Sequence, residues 1–390
     1  MSVPMEEGTP LNELTDSVVA TGVLDSVYIS LMGLSFDLKA YFNILDILGV
    51  WQHLDNHIAQ KHTHGSIEYA EEDFTCFQYY YDWRLSLDEN ARRLNEFIEE
   101  KNALIEQKMR DEYGIEDYEV KFDLVAHSMG GLLARYFLRY GGTQVESVDM
   151  DAPVPWSGTQ RVDRLIMIGT PNAGSVEAVV NFADGMTVGP LLPKFSPTLV
   201  GTLPAVYQLL PRNRHQRVVD AGQPDTVIDI YDPDVWIENQ WGLAEKNNDP
   251  LLQELLPNVS SPNRRKEIAL DHLKKSLKKA EAVAAALDRP AKTPESLCIH
   301  LFAGDAIDTP ATLAIDHKGK HSVYATEHGD GTVVRSSALL DERVGQEWQS
   351  RLKTPIDFYD VNFIFENHLG LTKDPAFSDN LLFLLLEQGW

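Results

Sequence analysis

The segment Ala-His-Ser-Met-Gly-Gly at residues 126–131 constrains the fold of this chain more than any other feature. An apolar, strand-like run at residues 122–125 leads into it, and an apolar helical pattern at residues 132–138 follows. This change of periodicity predicts a strand and a helix joined by a sharp turn. Ser128 then lies at the tip of the turn, where its hydroxyl stands clear of the backbone.

So tight a turn requires small side chains on both sides of the serine, and Ala126 and Gly130 meet this need. The pattern corresponds to the nucleophile elbow of the α/β-hydrolase fold, G-x-S-x-G, with alanine in place of the first glycine. We expect the Met129 N–H, at the helix N-terminus, to donate to an oxyanion that forms on a substrate attacked by Ser128.

A serine nucleophile needs a base, and a third group must orient that base. In the α/β-hydrolase fold these partners follow in the chain order serine, acid, histidine. Of the 12 histidines, His368 alone comes after Asp330, in a loop-like stretch before the last predicted helix. His127 is a poor base for its neighbour, because adjacent side chains in the elbow point apart, and we expect it to pack beside the site. The sequence therefore predicts His368 as the base.

The acid has three candidates on spacing alone. Asp330 lies between Gly329 and Gly331, which free the backbone to present one carboxylate. Asp305 and Asp308 compete with it, because they come just after a predicted strand. Spacing does not choose between the three.

The net charge of −25 argues against functions that depend on clustered positive charge. Nucleic acids and strongly anionic membrane surfaces are disfavoured as partners, because phosphate contacts need Lys and Arg. One local exception, from Arg264 to Lys279, holds seven basic residues on a predicted helix. A solvated helix face is the first interpretation of this stretch, and contact with anionic lipid headgroups is the second.

Two cysteines, Cys76 and Cys298, each lie in a predicted strand. We expect buried free thiols, so that the fold does not depend on an oxidising compartment. The first seven residues lack the basic start and the apolar stretch of a signal peptide, which predicts a cytoplasmic location for the chain as given. No run approaches 18 apolar residues, the length of a membrane span.

Helical and strand patterns alternate along the chain, which predicts an α/β fold. A capping box at residues 86–89 opens a long helix, and the pair Ser261-Pro262 begins another that ends near Leu287. The remaining predicted elements are a helix at 38–60, strands at 74–81, 120–125, 164–168 and 297–303, and a C-terminal helix at 379–388. Residues 176–292 lack strand periodicity. We therefore predict a hydrolase core at 1–175 and 293–390, with a mostly helical cap or lid inserted at 176–292.

Several segments together resemble the lecithin:cholesterol acyltransferase-like family of α/β-hydrolases, especially its bacterial members. The core motifs of that family match residues 81–84 (Tyr-Asp-Trp-Arg), 127–131, 169–171 (Gly-Thr-Pro) and 329–333 (Gly-Asp-Gly-Thr-Val), and its cap motifs resemble residues 203–211 and 231–242. Carried over residue by residue, the resemblance implies the triad Ser128, Asp330 and His368. It also implies acyl-ester chemistry on lipids through an acyl-serine.

The Tyr-Asp-Trp-Arg motif has two interpretations. In the first, the motif is structural: Arg84 pairs with a carboxylate and Trp83 packs in the core. In the second, the motif lines a pocket for the acyl chain of the substrate. We therefore take Trp83, Thr170 and Pro171 as candidates for contact with substrate. The family's N-terminal apolar strand and Pro-Gly-x-x-Gly-type loop, which supply a second oxyanion donor, have no counterpart in the sequence as we interpret it.

The sequence thus predicts a serine-dependent acyl-ester hydrolase or O-acyltransferase whose substrate is a lipid or other ester. The mechanism calls for no metal or cofactor. The sequence does not determine the oligomeric state. Two other interpretations stay open at this point, a soluble carboxylesterase that acts on small esters and a non-catalytic binding protein on a hydrolase fold.

Overall fold

The computed structural model describes residues 2–18, 27–31, 34–38, 77–187, 194–215, 217–343 and 349–388. The helix predicted at 38–60 lies outside these residues, apart from Leu38, which ends a strand. Cys76 and its two predecessors in the predicted strand at 74–81 also lie outside them.

The strands are β1 Val27–Leu31, β2 Leu34–Leu38, β3 Phe122–His127, β4 Val162–Ile168, β5 Val218–Asp220, β6 Cys298–Gly304, β7 Ile307–Ile315, β8 His321–Gly329 and β9 Asp360–Ile364. The α-helices are α1 Leu87–Tyr113, α2 Met129–Tyr140, α3 Val176–Asp184, α4 Pro197–Val200, α5 Pro204–Tyr207, α6 Pro233–Asn239, α7 Asp249–Leu255, α8 Pro262–Asp288, α9 Arg335–Ala338 and α10 Pro375–Leu382. In the described part of the chain, every helix is too short or too polar to cross a bilayer.

The main sheet is parallel throughout, in the order β3-β4-β6-β9. Its central strand β4 reads Val-Asp-Arg-Leu-Ile-Met-Ile, and the last four of these residues are fully buried. Continuous apolar runs of this kind are typical of a parallel sheet that is covered on both faces. The three sheet strands that the sequence predicts here are confirmed within two residues.

Helices cover both faces of this sheet, which confirms the α/β class. Leu165 and Met167 of β4 face a core that α1 and α2 share. The intervening Ile166 and Ile168 face α10, whose Phe377 packs edge-on against Phe302 of β6. Alternate side chains along one strand therefore serve two separate cores.

Helix α1 starts where the capping box predicts, but the cap differs from the predicted one. The Ser86 hydroxyl donates to Asp88 Oδ1 at 2.5 Å, and that same oxygen accepts the Glu89 N–H at 3.0 Å. The carboxylate of Asp88 therefore caps the helix in place of the serine. Leu87, Ala91, Leu94 and Ile98 of this helix are buried in the core.

The aromatic segment at residues 77–81 is not a strand, contrary to the prediction. Its side chains pack on α1: the Tyr79 hydroxyl donates to the Asn90 carbonyl at 3.0 Å, and the Tyr79 ring lies against Phe97. The aromatic residues that predicted a strand at 77–81 thus serve instead to cover helix α1.

Helices α8 and α10 each begin directly after the residue that caps them. Helix α8 begins at Pro262 after Ser261, whose hydroxyl accepts the Arg264 N–H, as predicted. The C-terminal helix α10 begins at Pro375, four residues before its predicted start, because the Asp374 carboxylate caps it. A π-helical turn at Phe383–Glu387 follows it.

The segment at 176–292 contains helices α3 to α8 and is built around aromatic side chains. Phe182, Tyr207, Trp236 and Trp241 are all buried and contact one another. The segment also holds the short strand β5, which pairs in parallel with β7 to form a second sheet in the order β5-β7-β8. The boundaries 175/176 and 292/293 stay a prediction.

The basic stretch on α8 is largely engaged within the protein. Arg265 pairs with Asp249, and Lys279 lies between Asp88 and Glu146. Arg264 pairs with Glu7 and Glu267 and Lys275 with Asp271. These contacts favour a structural use of the charges, and contact with lipid headgroups stays a prediction.

A buried histidine on α8 makes the stability of this protein depend on pH. His272 is fully buried, its Nε2 lies 3.2 Å from the Thr202 carbonyl, and burial together with Lys275 lowers its pKa to about 4. An unfolded histidine titrates near 6.5. Below pH 6.5 the unfolded chain therefore binds a proton at this histidine more readily than the folded protein does. We expect the free energy of unfolding to fall by up to roughly 1.4 kcal/mol per pH unit as the pH falls from 6.5 to 4.

The measurement is urea unfolding of the wild type and of His272→Gln between pH 7 and pH 4.5. Glutamine keeps a donor for the Thr202 carbonyl but does not titrate in this range. The variant should lose stability less steeply than the wild type as the pH falls. Equal slopes would contradict the assignment.

Candidate active site

Ser128 occupies a strained position between β3 and α2. Its φ is 53° and its ψ is −125°, a region that residues other than glycine rarely adopt and that costs of order 1–3 kcal/mol. The Ser128 N–H donates to the Ile168 carbonyl of β4 at 2.8 Å, and its own carbonyl accepts the Gly131 N–H at 3.0 Å. These bonds hold the turn in the geometry that the Ala-His-Ser-Met-Gly-Gly pattern predicts.

Gly131 allows the close approach of α2 to the loop after β4. A Cβ at this position would collide with the side chain of Thr170, which is fully buried. Gly130 is less constrained, since a Cβ there would meet Ala126 at an ordinary 3.8 Å. The second glycine of the pair is therefore the one that the packing requires.

The structure brings Ser128, His368 and Asp330 into one hydrogen-bonded chain. His368 Nε2 lies 3.0 Å from Ser128 Oγ, and His368 Nδ1 lies 2.7 Å from Asp330 Oδ2. The Asp330 side chain is fully buried, and that of His368 is 12% exposed. An imidazole between a hydroxyl and a buried carboxylate is placed to accept the hydroxyl proton while the carboxylate orients it.

Asp330 is fixed by the loop that carries it. Its Oδ1 accepts the backbone N–H groups of Thr332 and Val333 at 2.9 and 2.7 Å, which leaves Oδ2 for His368. Gly331, at φ +90°, donates its N–H to Thr309 Oγ1 at 2.8 Å. The Gly-Asp-Gly-Thr-Val motif is thus a turn that wraps around one carboxylate.

Two glycines make room for the acid and the base, and the sequence pattern assigned neither of them this role. A Cβ at Gly304, the end of β6, would collide with Asp330. A Cβ at Gly169, which has a φ of +55°, would lie 3.2 Å from the His368 ring. A glycine at the end of a predicted parallel strand was the available signal for both.

The competing acids face elsewhere. Asp305 Oδ2 accepts a hydrogen bond from Arg335 at 2.8 Å. The Asp308 side chain is 81% exposed and lies 3.9 Å from His328. Of the three candidates left open by spacing, Asp330 is the one within reach of His368.

Met129 is the first residue of α2. The first N–H groups of a helix have no partner within it, and the helix dipole adds partial positive charge at the same point. The Met129 N–H follows Ser128 directly in sequence and belongs to the part of the helix best suited to stabilise negative charge. The role of the Met129 N–H as an oxyanion donor stays a prediction. That the family's N-terminal strand and Pro-Gly-x-x-Gly-type loop have no counterpart here also stays a prediction.

The sequence profile of the lecithin:cholesterol acyltransferase family matches residues 57–249. Over these residues the chain is similar to the lecithin:cholesterol acyltransferase family, as the sequence motifs predict. The match includes Ser128 and ends before Asp330 and His368. The similarity supports a lipid-acting hydrolase or acyltransferase.

Two solved structures are similar to this one at low identity. The crystal structure of the Tle4-Tli4 complex has a TM-score of 0.43 and 17% identity, over 79% of this chain and 68% of that chain. Phospholipase PlaB from Legionella pneumophila has a TM-score of 0.24 and 15% identity, over 42% of this chain and 30% of that chain. No curated protein matches the sequence.

The family's Tyr-Asp-Trp-Arg motif holds the N-terminal segment in place. Arg84 donates to both oxygens of Asp82, to both oxygens of Asp16 and to the Ser2 carbonyl, all between 2.7 and 2.9 Å. The two hydrogen-bonded carboxylates raise the pKa of the Arg84 guanidinium, and Arg84 lowers that of Asp16. Trp83 is half-buried and packs against the aromatic core of 176–292.

The remaining candidates for substrate contact lie beneath the surface. Thr170 and Pro171 of the family's Gly-Thr-Pro motif are buried, and Thr170 packs against Gly131. Contact between either residue and a substrate therefore requires the surface above them to open. It stays a prediction, as it does for Trp83.

Proposed function

We propose that this protein is a serine-dependent acyl-ester hydrolase or O-acyltransferase that acts on lipids through an acyl-serine intermediate. One observation carries the proposal, the hydrogen-bonded chain from Ser128 Oγ through His368 to the buried Asp330. Similarity to the lecithin:cholesterol acyltransferase family supports lipid esters as the substrate class. The strained backbone of Ser128 supports a functional use, because such strain concentrates at active sites.

The proposed reaction has two halves. His368 Nε2 accepts the Ser128 proton as Oγ attacks the ester carbonyl, and Asp330 stabilises the imidazolium that forms. The Met129 N–H donates to the oxyanion of the tetrahedral intermediate. When the intermediate collapses, the C–O bond to the alcohol breaks and His368 donates its proton to that alcohol. Water or a second alcohol then releases the acyl group by the reverse steps.

The segment at 176–292 completes the proposal as a cap over the core at 1–175 and 293–390. Its helices pack around Phe182, Tyr207, Trp236 and Trp241. Apolar helices above an active site suit a cover that opens at a lipid surface. Binding to a bilayer would follow from such an opening.

We expect the initial rate on a long-chain ester to rise severalfold when the substrate passes from dispersed monomers to micelles. Neutral or zwitterionic surfaces should be preferred, because a chain of net charge −25 is repelled by anionic ones. The measurement is initial rate against substrate concentration across the micellar transition, at low and moderate salt. A smooth saturation curve with faster turnover of short soluble esters would favour a carboxylesterase instead.

A panel of phospholipids and neutral esters, with the products identified, separates hydrolysis from transfer. Free fatty acid as the acyl product indicates water as the acceptor, and a new ester indicates an alcohol. Absence of turnover on every ester in the panel would contradict the proposed function and favour a binding protein.

A further inference from the structure

His127 lies directly before the proposed nucleophile, yet its side chain contacts the proposed base. It is the last residue of β3, and its ring centroid lies 4.7 Å from that of His368. His127 Nε2 lies 3.1 Å from the backbone carbonyl oxygen of His368. A carbonyl oxygen only accepts hydrogen bonds, so Nε2 of His127 carries the proton and donates it.

This bond completes a frame around His368. The His368 N–H donates to the Asp330 carbonyl at 2.8 Å, and its ring nitrogens contact Asp330 and Ser128. His127 adds the contact to the carbonyl. The backbone and the ring of His368 are thus held by the nucleophile elbow on one side and by the loop that carries Asp330 on the other.

The loop that carries His368 needs such support. Phe365, three residues earlier, is 76% exposed, and Glu366 and Asn367 bond mainly to each other and to Gly370. The hydrogen bond from His127 ties this loop across to the elbow strand, a separation of 241 residues in sequence. A shift of the loop would lengthen the 3.0 Å distance from His368 Nε2 to Ser128 Oγ.

We propose that His127 is a positioning residue, whose hydrogen bond to the His368 carbonyl keeps the His368 imidazole aligned between Ser128 and Asp330. This rests on the proposed function. Burial, with the nearby His368, lowers the pKa of His127 to about 3, so the ring stays neutral at working pH. A neutral ring adds no repulsion against the imidazolium that forms on His368 during the reaction.

The test compares His127→Gln, whose amide nitrogen reaches about as far as Nε2, with His127→Leu, which has similar bulk and no donor. His127→Asn, polar but shorter, is a third variant in case leucine prevents folding. We expect kcat on a soluble ester to fall on the order of tenfold to hundredfold in the leucine and asparagine variants, with KM nearly unchanged. Glutamine should retain most of the activity.

A second readout does not require turnover. A proton held between His368 Nδ1 and Asp330 Oδ2 gives a far-downfield proton resonance in the NMR spectrum. We expect this resonance to persist in the wild type and in His127→Gln, and to broaden or vanish in the leucine and asparagine variants. The resonance therefore tests the positioning of His368 even if the wild type hydrolyses none of the esters. Such a lack of hydrolysis would count against the proposed function and not against the positioning role of His127.

His272 supplies a matched control, because its Nε2 also contacts a backbone carbonyl of a buried residue, Thr202 between α4 and α5. His272→Leu and His272→Gln should change the melting temperature but leave kcat and the downfield resonance unchanged. The proposal is overturned if His127→Leu keeps normal kcat and the resonance. It is equally overturned if His127→Gln is impaired as much as His127→Leu.

Discussion

Replacing Ser128 by alanine should abolish covalent labelling by a fluorophosphonate and lower ester hydrolysis by about six orders of magnitude, the loss that serine triads show when the nucleophile is removed. The reason is that no other hydroxyl is bonded to His368 among the described residues. The fold should survive, because alanine keeps the small side chain that the turn requires. The measurements are labelling followed by mass spectrometry, kcat, and the melting temperature.

Ser322→Ala is the control, since Ser322 is an exposed serine of β8 that lies outside the hydrogen-bonded chain. It should label and turn over like the wild type. Ser128→Gly adds a second check: glycine adopts a φ of 53° without strain, so this inactive variant should be at least as stable as Ser128→Ala. Undiminished labelling of Ser128→Ala would show that the nucleophile is elsewhere.

Replacing Asp330 by asparagine should lower kcat on the order of 10⁴-fold with little change in KM. The carboxylate Oδ2 accepts from His368 Nδ1 at 2.7 Å, whereas an amide can present a donor there and favour the wrong tautomer of the imidazole. Oδ1 is held by the N–H groups of Thr332 and Val333, so the amide oxygen should take that place and leave its NH₂ group facing His368. Steady-state kinetics on a soluble ester measure the loss.

Asp305→Asn and Asp308→Asn are the matched controls, and both should stay within about twofold of the wild type, because Asp305 pairs with Arg335 and Asp308 lies beside His328. His368→Ala should be as impaired as Asp330→Asn or more, and neither should add to Ser128→Ala, since the three residues act as a unit. A crippled Asp305→Asn beside a mild Asp330→Asn would assign the acid to Asp305.

The sequence predicted the parts of this protein that depend on local patterns. The nucleophile elbow, the start of α1 and the N-terminus of α8 each follow from residues within a few positions of one another, because caps and tight turns are short-range features. The α/β class and the resemblance to the family are also confirmed. His368 could be chosen from chain order alone, which reflects the order of strands in the fold.

Only the tertiary structure decided which groups meet. Asp305 follows β6, Asp308 lies in β7 and Asp330 follows β8, all within 26 residues of sequence. Asp330 alone of the three lies 2.7 Å from His368, because Gly304 leaves room for it and Arg335 holds Asp305 away. The aromatic segment at 77–81 forms no strand, because α1 offers its rings a surface.

The pairing of β5 with β7, and the hydrogen bond from His127 to His368, join segments about 95 and 241 residues apart. Residue types and spacing carry no direct record of such contacts, since they depend on the packing of every element that lies between. The sequence by itself therefore determined the kinds of residue that form the site and the local turns that present them. Their distances, and the choice among equivalent carboxylates, came from the packing of strands and loops far apart in the chain.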